Sequence, residues 1–305
     1  MAATESTIDP QQPVVALDDA AFGRACALTE LPSGNPVSAD NSTVVRYSGV
    51  IDAIWTIGKK LHGGTMVATS AAAAARGLRA AHPESAEMLP IAASTDFLGA
   101  PDPGRVDYEV RVRKAGRQIC LVDVDLVQEG RTLVHTAFTF GRVDDAPPVY
   151  VPESHTDMPT EPTADAVAYG PDSPMRIAHL SQGASVAIDP IWARFLAGEQ
   201  GKPQLRLWIR PRPADEQDPE VAVYFAMMAG DMSPPVSMNL GRFGWAPTVQ
   251  LTTHLHRRPA PGWLRVIATT PEVGERMFVQ DQLVLDATGA VIAQTRQLAL
   301  IPLPR

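Results

Sequence analysis

Cysteine is scarce in this chain, which contains Cys26 and Cys120 as its only two among 305 residues. They lie far apart and lack the spacing of a metal site, so the sequence offers neither a disulfide framework nor a cysteine-based metal centre. No apolar run approaches the roughly 20 residues that span a bilayer. The first residues, MAATESTIDPQQP, lack the basic and apolar regions of a secretory signal. We therefore expect a cytoplasmic protein without stable membrane insertion.

Positive charge is also in short supply, because 26 Lys and Arg residues stand against 34 Asp and Glu, for a net charge of -8. A chain with this balance repels phosphate backbones, so we expect no nucleic-acid partner. Any anionic ligand has to be held by a local group of Arg or Lys. The length allows two modest hydrophobic cores or one large core.

What the chain does contain is one pattern that occurs twice. Each copy consists of three successive strand-like runs, joined first near a glycine (Gly116 or Gly274) and then at a second glycine (Gly130 or Gly289). The copies read RVDYEVRVRKAGRQICLVDVDLVQEGRTLVHTAFTFG from residue 105 and GWLRVIATTPEVGERMFVQDQLVLDATGAVIAQTRQLALI from residue 262. A duplicated module whose copies have diverged predicts one composite site between the two halves.

The order of predicted elements repeats as well. A strand over Thr43–Ile51 precedes an alanine-rich helix that begins at Gly63 and ends near Pro83, since proline disfavours continuation. Four strands with period-two alternation follow. The second half repeats this order with strands over Ile177–Ile188 and Gln204–Ile209, a helix over Glu220–Ala229 and four more strands. We predict an α+β fold in which two curled antiparallel sheets each wrap around a central helix; two unrelated α+β domains are the alternative.

The predicted division of the chain follows composition. Residues 1–40 form a partly ordered N-terminal extension, and residues 41–143 form the first module. Residues 144–174 contain seven prolines and are interpreted as the linker between modules. Residues 175–305 form the second module.

Several stretches of the chain resemble the double-hotdog acyl-CoA thioesterases, the type II family that acts on medium- and long-chain acyl groups. The stretches are HGGTMVATSAAAAARGL, STDFLGAPDPGRVDYEVRVRKAGRQ, NLGRFGWAPTVQLTTHLHRRPAPGWLRVIATT and the closing strand AVIAQTRQLALI. Together they cover most of residues 40 to 303. The resemblance implies the double-hotdog fold and an acyl-CoA substrate bound where the two hotdogs meet.

The resemblance also implies which residues act on the thioester. In that family an Asp, a Thr or Ser, and a Gln of the second module activate a water molecule. The Thr is expected at Thr270 and the Gln at Gln297, whereas the position expected for the Asp holds Gln250. An amide donates hydrogen bonds to water but takes no proton, and loss of a general base costs about 10²–10⁴-fold in rate. We therefore expect slow hydrolysis or a changed role, unless the fold brings in one of three other carboxylates, Asp96, Asp231 or Asp281.

The comparison between the two copies supports one asymmetric site. The positions in the first copy that correspond to Gln250, Thr270 and Gln297 are all apolar. They are Ala92, Val112 and Phe138. A set of polar residues that occurs in just one of the two copies predicts a single site. The same residues are also compatible with an ordinary solvent-facing sheet surface.

Five further residues are candidates for substrate binding. His62, Gly63 and Gly64 precede the long helix, whose free N–H groups would stabilise the oxyanion of a thioester carbonyl; a plain loop-to-helix junction is the alternative. Arg257 and Arg258 suit the phosphates of coenzyme A, or else form a solvated strand end. We expect no metal and no cofactor, because the nearby histidines have no third ligand with convincing spacing.

Three functions remain open from the sequence. The first is an acyl-CoA thioesterase that releases free acid and coenzyme A, with Gln250, Thr270 and Gln297 positioning the water. The second is a noncatalytic acyl-CoA or acyl-lipid binding protein, which the amide at residue 250 would explain. The third is an enoyl-thioester hydratase, for which Asp52 and His62 are the nearest acid–base pair. Exposed sheet edges also predict that the chain forms a homo-oligomer.

Overall fold

A computed structural model describes residues 18–32, 44–144, 146–151 and 156–302. The helices are α1 (Ala21–Ala25), α2 (Gly63–Ala81), α3 (Pro213–Gln217) and α4 (Pro219–Ala229). The strands of the first half are β1 (Thr29–Glu30), β2 (Val44–Ile51), β3 (Thr56–Ile57), β4 (Lys60–Leu61), β5 (Leu89–Phe97), β6 (Gly104–Lys114), β7 (Ile119–Gln128) and β8 (Arg131–Gly141). The strands of the second half are β9 (Val167–Ala168), β10 (Ser185–Ile188), β11 (Leu205–Arg210), β12 (Thr248–Leu255), β13 (Leu264–Thr269), β14 (Met277–Leu285) and β15 (Val291–Leu300).

The two halves have the same sheet topology. The first half orders its main strands β2-β6-β7-β8-β5, and the second half orders its strands β11-β13-β14-β15-β12. In each half the central helix lies in the chain between the first and the last strand of that order. The predicted duplication is therefore confirmed at the level of topology, and two unrelated domains are excluded.

The halves join edge to edge into one sheet. Strand β5 pairs with β12 in antiparallel orientation, with Ser94 opposite Thr252, and thirteen strands of the described residues form one continuous sheet. Helix α2 packs against β5 to β8, and α4 packs against β12, β13 and β15. Each half is thus a curled sheet around a helix, which is the double hotdog that the resemblance implies.

Alanine lets α2 approach its sheet closely. The run Ala71–Ala75 is buried, and Ala71, Ala73 and Ala74 are each 0% exposed. Alanine is the strongest helix former, so this face combines helix stability with a small cross-section. The helix ends at Ala81, directly before His82 and Pro83, as the sequence predicts.

The two central helices also pack against each other, with the beginning of each beside the end of the other. At one end Arg79, near the end of α2, donates to both carboxylate oxygens of Glu220 in the first turn of α4, at 2.9 and 2.5 Å. At the other end the beginning of α2 meets the residues that follow α4. This arrangement places the start of α2, with its glycines, against the second half of the chain.

One strand prediction is largely wrong. Of the predicted strand Ile177–Ile188, only Ser185–Ile188 is a strand (β10), and His179–Gln182 forms a 3-10 helix. The difference has a tertiary cause, because the segment covers the β3–β4 hairpin of the first half. Gly58 N–H donates to the Ile177 carbonyl at 2.7 Å, and the Thr56 hydroxyl lies 2.7 Å from His179 Nδ1.

Part of the predicted linker packs onto the second half. Met158 is 2% exposed in a small apolar cluster with Trp208 on the outer side of the sheet, and Trp208 Nε1 donates to the Pro159 carbonyl at 2.9 Å. Within the same segment, β9 pairs with β10. The module boundaries themselves remain a prediction, but residues 156–168 contact the second module rather than bridging two bodies.

Most of the predicted N-terminal extension, residues 1–17 and 33–40, lies outside the described residues. The described part forms α1 and β1, and Phe22 of α1 packs edge to face against Trp55 and Phe225, with ring centroids 5.3 Å apart in both pairs. The extension thus contributes an aromatic side chain to the core. Among the helices of the described residues, none combines the length and the apolar character needed to cross a bilayer.

The close packing of α2 leads to a stability prediction. Ala74→Leu inserts extra methyl groups where the helix meets the sheet, so it should lower the free energy of unfolding by about 1–3 kcal/mol. Ala80→Leu, at an exposed position of the same helix, should change it by less than about 0.5 kcal/mol. Urea denaturation followed by circular dichroism measures both. Equal effects of the two substitutions would contradict the packing of α2 described above.

Candidate active site

The carboxylate of Asp231 lies at the beginning of α2, although it belongs to the other half of the chain. Its Oδ2 accepts a hydrogen bond from the Gly64 N–H at 2.7 Å and lies 3.5 Å from Nε2 of His62. The Asp231 side chain is 8% exposed. The positive end of the helix dipole and the free N–H compensate the buried negative charge. The fold therefore brings one of the three alternative carboxylates to the expected helix end.

Local structure fixes this contact from both sides. Helix α4 ends at Ala229, its C-cap Gly230 follows, and the Asp231 N–H donates to the Met228 carbonyl at 3.0 Å. A Cβ on Gly64 would lie 2.6 Å from the Met228 carbonyl oxygen and 2.8 Å from Asp231 Cβ. Only glycine permits this approach, which gives the HGG sequence a physical reason.

His62 is the N-cap of α2, and it also contacts the segment that contains Asp231. It is 5% exposed, and its Nδ1 accepts from the Thr65 N–H at 3.2 Å. A neutral imidazole that accepts at one nitrogen carries its proton on the other. Nε2 lies 3.0 Å from the Asp231 carbonyl oxygen and therefore donates to it. His62 thus holds both the helix start and the backbone of Asp231.

Burial raises the pKa of the Asp231 carboxyl above its ordinary value, and the nearby His62 and the Gly64 N–H oppose this shift only in part. A carboxylate with a raised pKa is a stronger base than an exposed one. Perturbed groups of this kind mark functional sites more often than other positions do. The arrangement can accept a proton from a water molecule in front of it.

Gln297 and Thr248 lie on the inner face of the sheet, near the segment that contains Asp231. The Thr248 hydroxyl donates to Gln297 Oε1 at 2.9 Å, which orients the amide, and Gln297 is 5% exposed. Two residues earlier on β15, Thr295 donates through its hydroxyl to the carbonyl of Gly230, the residue before Asp231. Residues two apart on a strand share one face at a separation of roughly 7 Å. Gln297, with Thr248 bound to it, therefore lies on the same face of β15 as the residue that bonds Gly230.

Two further glutamines hold the segment after Asp231. Gln280, which is the cross-strand partner of Gln297, accepts from the Val236 N–H at 2.8 Å, and Gln282 accepts from the Ser233 N–H at 3.2 Å. Both glutamines are buried, at 0% and 2% exposed. Buried amides that replace missing backbone partners keep a loop in one conformation. The polar inner face of β14 therefore supports the site without forming it.

The side chain of Gln250 does not lie on the inner face of the sheet with Gln297. Gln250 is exposed on the outer face of the sheet and donates to Asp96 Oδ1 at 3.1 Å, while its cross-strand partner is Leu298. Gln297 instead pairs with Leu251 and faces inward. An irregularity in β12 between Thr248 and Gln250 shifts the register. A bulge of this kind re-aims side chains, so Thr248 faces inward where regular alternation would have given it the face of Gln250.

The hydroxyl of Thr270 is also engaged away from Asp231. Thr270 follows the last residue of β13, and its hydroxyl donates to the Glu272 carbonyl at 2.7 Å and accepts from the Glu272 N–H at 3.2 Å. This local turn occupies the hydroxyl. The structure thus brings Gln297 to the site, but neither Thr270 nor Gln250. Counting residues along a strand does not reveal a bulge, so the face on which Gln250 lies could not be read from its position in the sequence.

The predicted phosphate ligands lie elsewhere. Arg257 and Arg258 follow the end of β12 that is opposite to Thr248, about 30 Å away at roughly 3.3 Å per residue. Arg258 lies close enough to Glu220, in the first turn of α4, to lower the pKa of that carboxyl together with the nearer Arg79. A role for these arginines at the site of Asp231 is therefore not supported. The solvated strand end is the better interpretation.

The start of α4, which corresponds to the start of α2 in the other half, is capped by its own neighbouring residues. Asp218 accepts from the N–H groups of Glu220 and Val221 at 2.9 and 3.1 Å, and Pro219 at the first helical position has no N–H. This helix end offers no free donors to a ligand. Of the two central helices, only α2 begins against a carboxylate of the opposite half.

Comparisons with known proteins agree with this architecture. Two family models, described as the acyl-CoA thioesterase N-terminal domain and the acyl-CoA thioesterase C-terminal domain, match residues 51–141 and 152–301. An uncharacterized protein of Mycobacterium tuberculosis is 37% identical over 302 residues, which cover 93% of this chain and 99% of the relative. Its similarity extends over both halves.

Solved structures show the same arrangement. A thioesterase II candidate from Thermobifida fusca superposes with a TM-score of 0.72 at 26% identity, covering 92% of this chain and 97% of that chain. The acyl-CoA thioesterase II TesB2 of Mycobacterium marinum superposes with a TM-score of 0.63 at 18% identity, covering 93% and 98%. At the lower identity the likeness shows the shared fold alone.

The raised pKa of Asp231 leads to a prediction about stability. Between the unfolded and folded pKa values the native state binds more protons, so stability falls as pH rises through that window. Asp231→Asn keeps an acceptor for the Gly64 N–H without the charge. It should raise the melting temperature at pH 8, and the gain should shrink as the pH approaches about 4, near the ordinary Asp pKa.

Thermal denaturation of wild type and variant across this pH range measures the difference. Asp96→Asn is the matched control, because that carboxylate lies on the outer face of the sheet, and its effect should be small. An Asp231→Asn variant that is less stable than wild type at pH 8 would show that the ionised carboxylate stabilises the fold.

Proposed function

Because the chain belongs to the acyl-CoA thioesterase family, we propose that it hydrolyses an acyl-CoA thioester to a free acid and coenzyme A. The observation that carries this proposal is the buried Asp231 carboxylate at the start of α2, with the bonded pair Gln297 and Thr248 further along the sheet face that holds Gly230. It supplies the base that Gln250 does not. Slow hydrolysis is therefore no longer the expectation.

Asp231 acts as the general base in the proposed reaction. It takes a proton from a water molecule whose oxygen attacks the thioester carbonyl carbon. The amide of Gln297 and the Thr248 hydroxyl hydrogen-bond this water and fix its direction of attack. The tetrahedral intermediate then collapses, the carbon–sulfur bond breaks, and the leaving thiolate receives the proton from Asp231.

The start of α2 stabilises the oxygen of the intermediate. The Gly64 N–H is engaged by Asp231, and the Thr65 N–H by His62. Among the first three helical donors within the described residues, this leaves the Gly63 N–H free for an oxyanion. The helix dipole adds to the effect of this donor. Of the residues predicted from the sequence, Gly63 becomes the oxyanion donor, whereas Gly64 and His62 hold the base.

Neither alternative function is favoured by a specific contact. The noncatalytic binding protein was motivated by the amide at residue 250, and Asp231 removes that motivation. The hydratase needs Asp52 and His62 as a pair, but Asp52 is exposed and His62 contacts Asp231 instead. The cytoplasm remains the proposed compartment.

Self-association is a separate part of the proposal. The described sheet ends in two-residue strands, β1 and β9, which offer little backbone for edge pairing. A homo-oligomer would therefore use the outer face of the sheet rather than its edges. Light scattering of the purified protein measures the mass, and a monomer at all concentrations would reject this part.

The proposed chemistry makes a direct mutational prediction. Asp231→Asn should lower kcat by about 10²–10⁴-fold, because an amide cannot take the proton from water. Gln297→Ala and Thr248→Val should each lower kcat by roughly 10-fold or more, since the water loses an oriented partner. Release of coenzyme A is measured with a thiol-reactive dye and acyl-CoAs of several chain lengths.

The controls are the two residues that the sequence predicted but the structure places elsewhere. Gln250→Ala and Thr270→Ala should keep wild-type kcat within about twofold, because neither faces the base. Loss of activity in these variants, together with an active Asp231→Asn, would reject the proposed site. An inactive wild type that binds acyl-CoA would reject hydrolysis and favour a binding protein.

A further inference from the structure

The turn that precedes β12 exposes large side chains close to the proposed site. It joins the 3-10 helix Val236–Leu240 to β12, and Phe243 and Trp245 within it are 57% and 54% exposed. Arg242 is exposed beside them. We call residues 242–245 the Arg-Trp turn. Exposed aromatic side chains next to a guanidinium often mark a binding surface.

The base of this turn is held rigidly. Asn239 is 0% exposed, and its Nδ2 donates to the carbonyls of Trp192 and Lys202 at 2.7 and 2.8 Å. The ring of Phe243 packs against Phe195 with centroids 6.4 Å apart. Phe243 thereby anchors the turn to the body of the protein. Trp245 has no ring contact of this kind within the described residues and is free to stack on a ligand.

The other side of the turn leans on the end of β15. Gly244 has a φ of +131°, and a Cβ there would lie 2.9 Å from Pro302 Cβ. The residue before Pro302, Ile301, donates through its N–H to the Arg276 carbonyl at 2.9 Å. These contacts place Arg276 next to the turn. Its side chain is exposed. Glycine is required at 244 because other residues rarely adopt this backbone conformation.

The two arginines are the available cations of this surface. Neither Arg242 nor Arg276 forms an ion pair with any residue in the described ranges. Glu275 precedes Arg276 and weakens its local field, so Arg242 is the stronger anion ligand. In a chain with a net charge of -8, unpaired guanidiniums are the groups that hold a polyanion.

The turn is also within reach of the reacting atoms. Trp245 precedes Thr248 by three residues, a chain length of at most about 10 Å. Coenzyme A carries its adenine and phosphates at the far end of a long pantetheine arm that begins at the sulfur. A thioester held at Asp231 therefore places its nucleotide at the surface around the site and not inside it.

We propose that the Arg-Trp turn binds the nucleotide end of coenzyme A, with the adenine stacked on Trp245 and the phosphates bound by Arg242 and, more weakly, by Arg276. This inference rests on the proposed thioesterase function. A ligand that is both planar and multiply anionic matches a free indole beside two free guanidiniums. Stacking on an aromatic face and bidentate phosphate binding supply the affinity.

A pair of matched substrates tests the proposal. Trp245→Ala and Arg242→Ala should each raise KM for an acyl-CoA by roughly 10-fold with kcat unchanged, because contacts to the nucleotide are the same in the ground state and the transition state. The same variants should leave KM unchanged for the pantetheine thioester of the same acid, which lacks the nucleotide. Ile191→Ala is the control, because Ile191 is an apolar residue that is also largely exposed, at 66%. Equal effects on both substrates would overturn the proposal.

A binding measurement separates this proposal from the thioesterase function. Calorimetric titration with adenosine 3′,5′-bisphosphate needs no hydrolysis, and the affinity should fall about 10-fold in both variants. If wild type binds this nucleotide through the turn but hydrolyses no acyl-CoA, the reaction is wrong and the turn assignment stands. If it hydrolyses acyl-CoA but the variants bind the nucleotide as wild type does, the turn assignment is wrong.

A lipid surface is the alternative ligand for a turn that exposes Trp beside Arg. Co-sedimentation with phosphatidylglycerol vesicles tests it on the same variants. Vesicle binding that is lost in Trp245→Ala and Arg242→Ala, with nucleotide affinity unchanged, would overturn the proposal in favour of membrane docking. Vesicle binding below detection in wild type, with weaker nucleotide binding in the variants, supports it.

Discussion

The contact between the Asp231 carboxylate and the Gly64 N–H is the interaction on which the rest of the site depends. It joins the end of one central helix to the beginning of the other, at 2.7 Å and with the side chain 8% exposed. A buried carboxylate is costly unless donors and a positive potential compensate it, and a helix start offers both. The absence of a side chain at Gly64 allows the approach. The site is therefore a property of the junction, and neither half of the chain contains it alone.

The duplication explains why there is one such junction in the described fold. Both halves share strand order and helix placement, so a helix start meets the end of the other helix at both ends of the antiparallel pair. At the start of α4, however, Pro219 and the side chain of Asp218 satisfy the helix end locally, and Arg79 pairs with Glu220 there. The start of α2 is thus held by a carboxylate of the other half, whereas the start of α4 is capped by residues of its own half. Burial raises the pKa of the Asp231 carboxyl, so its ionised form carries a cost in folding at this helix start.

Much of the fold could be read from local patterns, whereas the site could be read only in part. Strand β14 (Met277–Leu285) is one of the four strands predicted after the second helix, because period-two alternation between a core and solvent is a local signal. Most of the strand predicted over Ile177–Ile188 was lost, since contacts with the β3–β4 hairpin of the other half outweigh strand propensity. Gln297 was identified, but its partner Thr248 was missed because an irregularity in β12 changes the face of every later residue. No pattern in the sequence marks that irregularity.

Patterns within the sequence were enough to predict the duplicated topology, the glycine-led α2, the closing strand with Gln297 and the family. These follow from periodicity, from residue size and from similarity, all of which are carried by short stretches of chain. Which carboxylate lies at the start of α2 depends on tertiary contacts, because Asp231 and Gly64 are separated by 167 positions along the chain. The tertiary structure likewise placed Gln250 outside and Thr248 inside. Contacts of such long separation arise when two sheets join and two helices pack, and the energy of that packing is shared among many residues rather than encoded at the positions that finally meet.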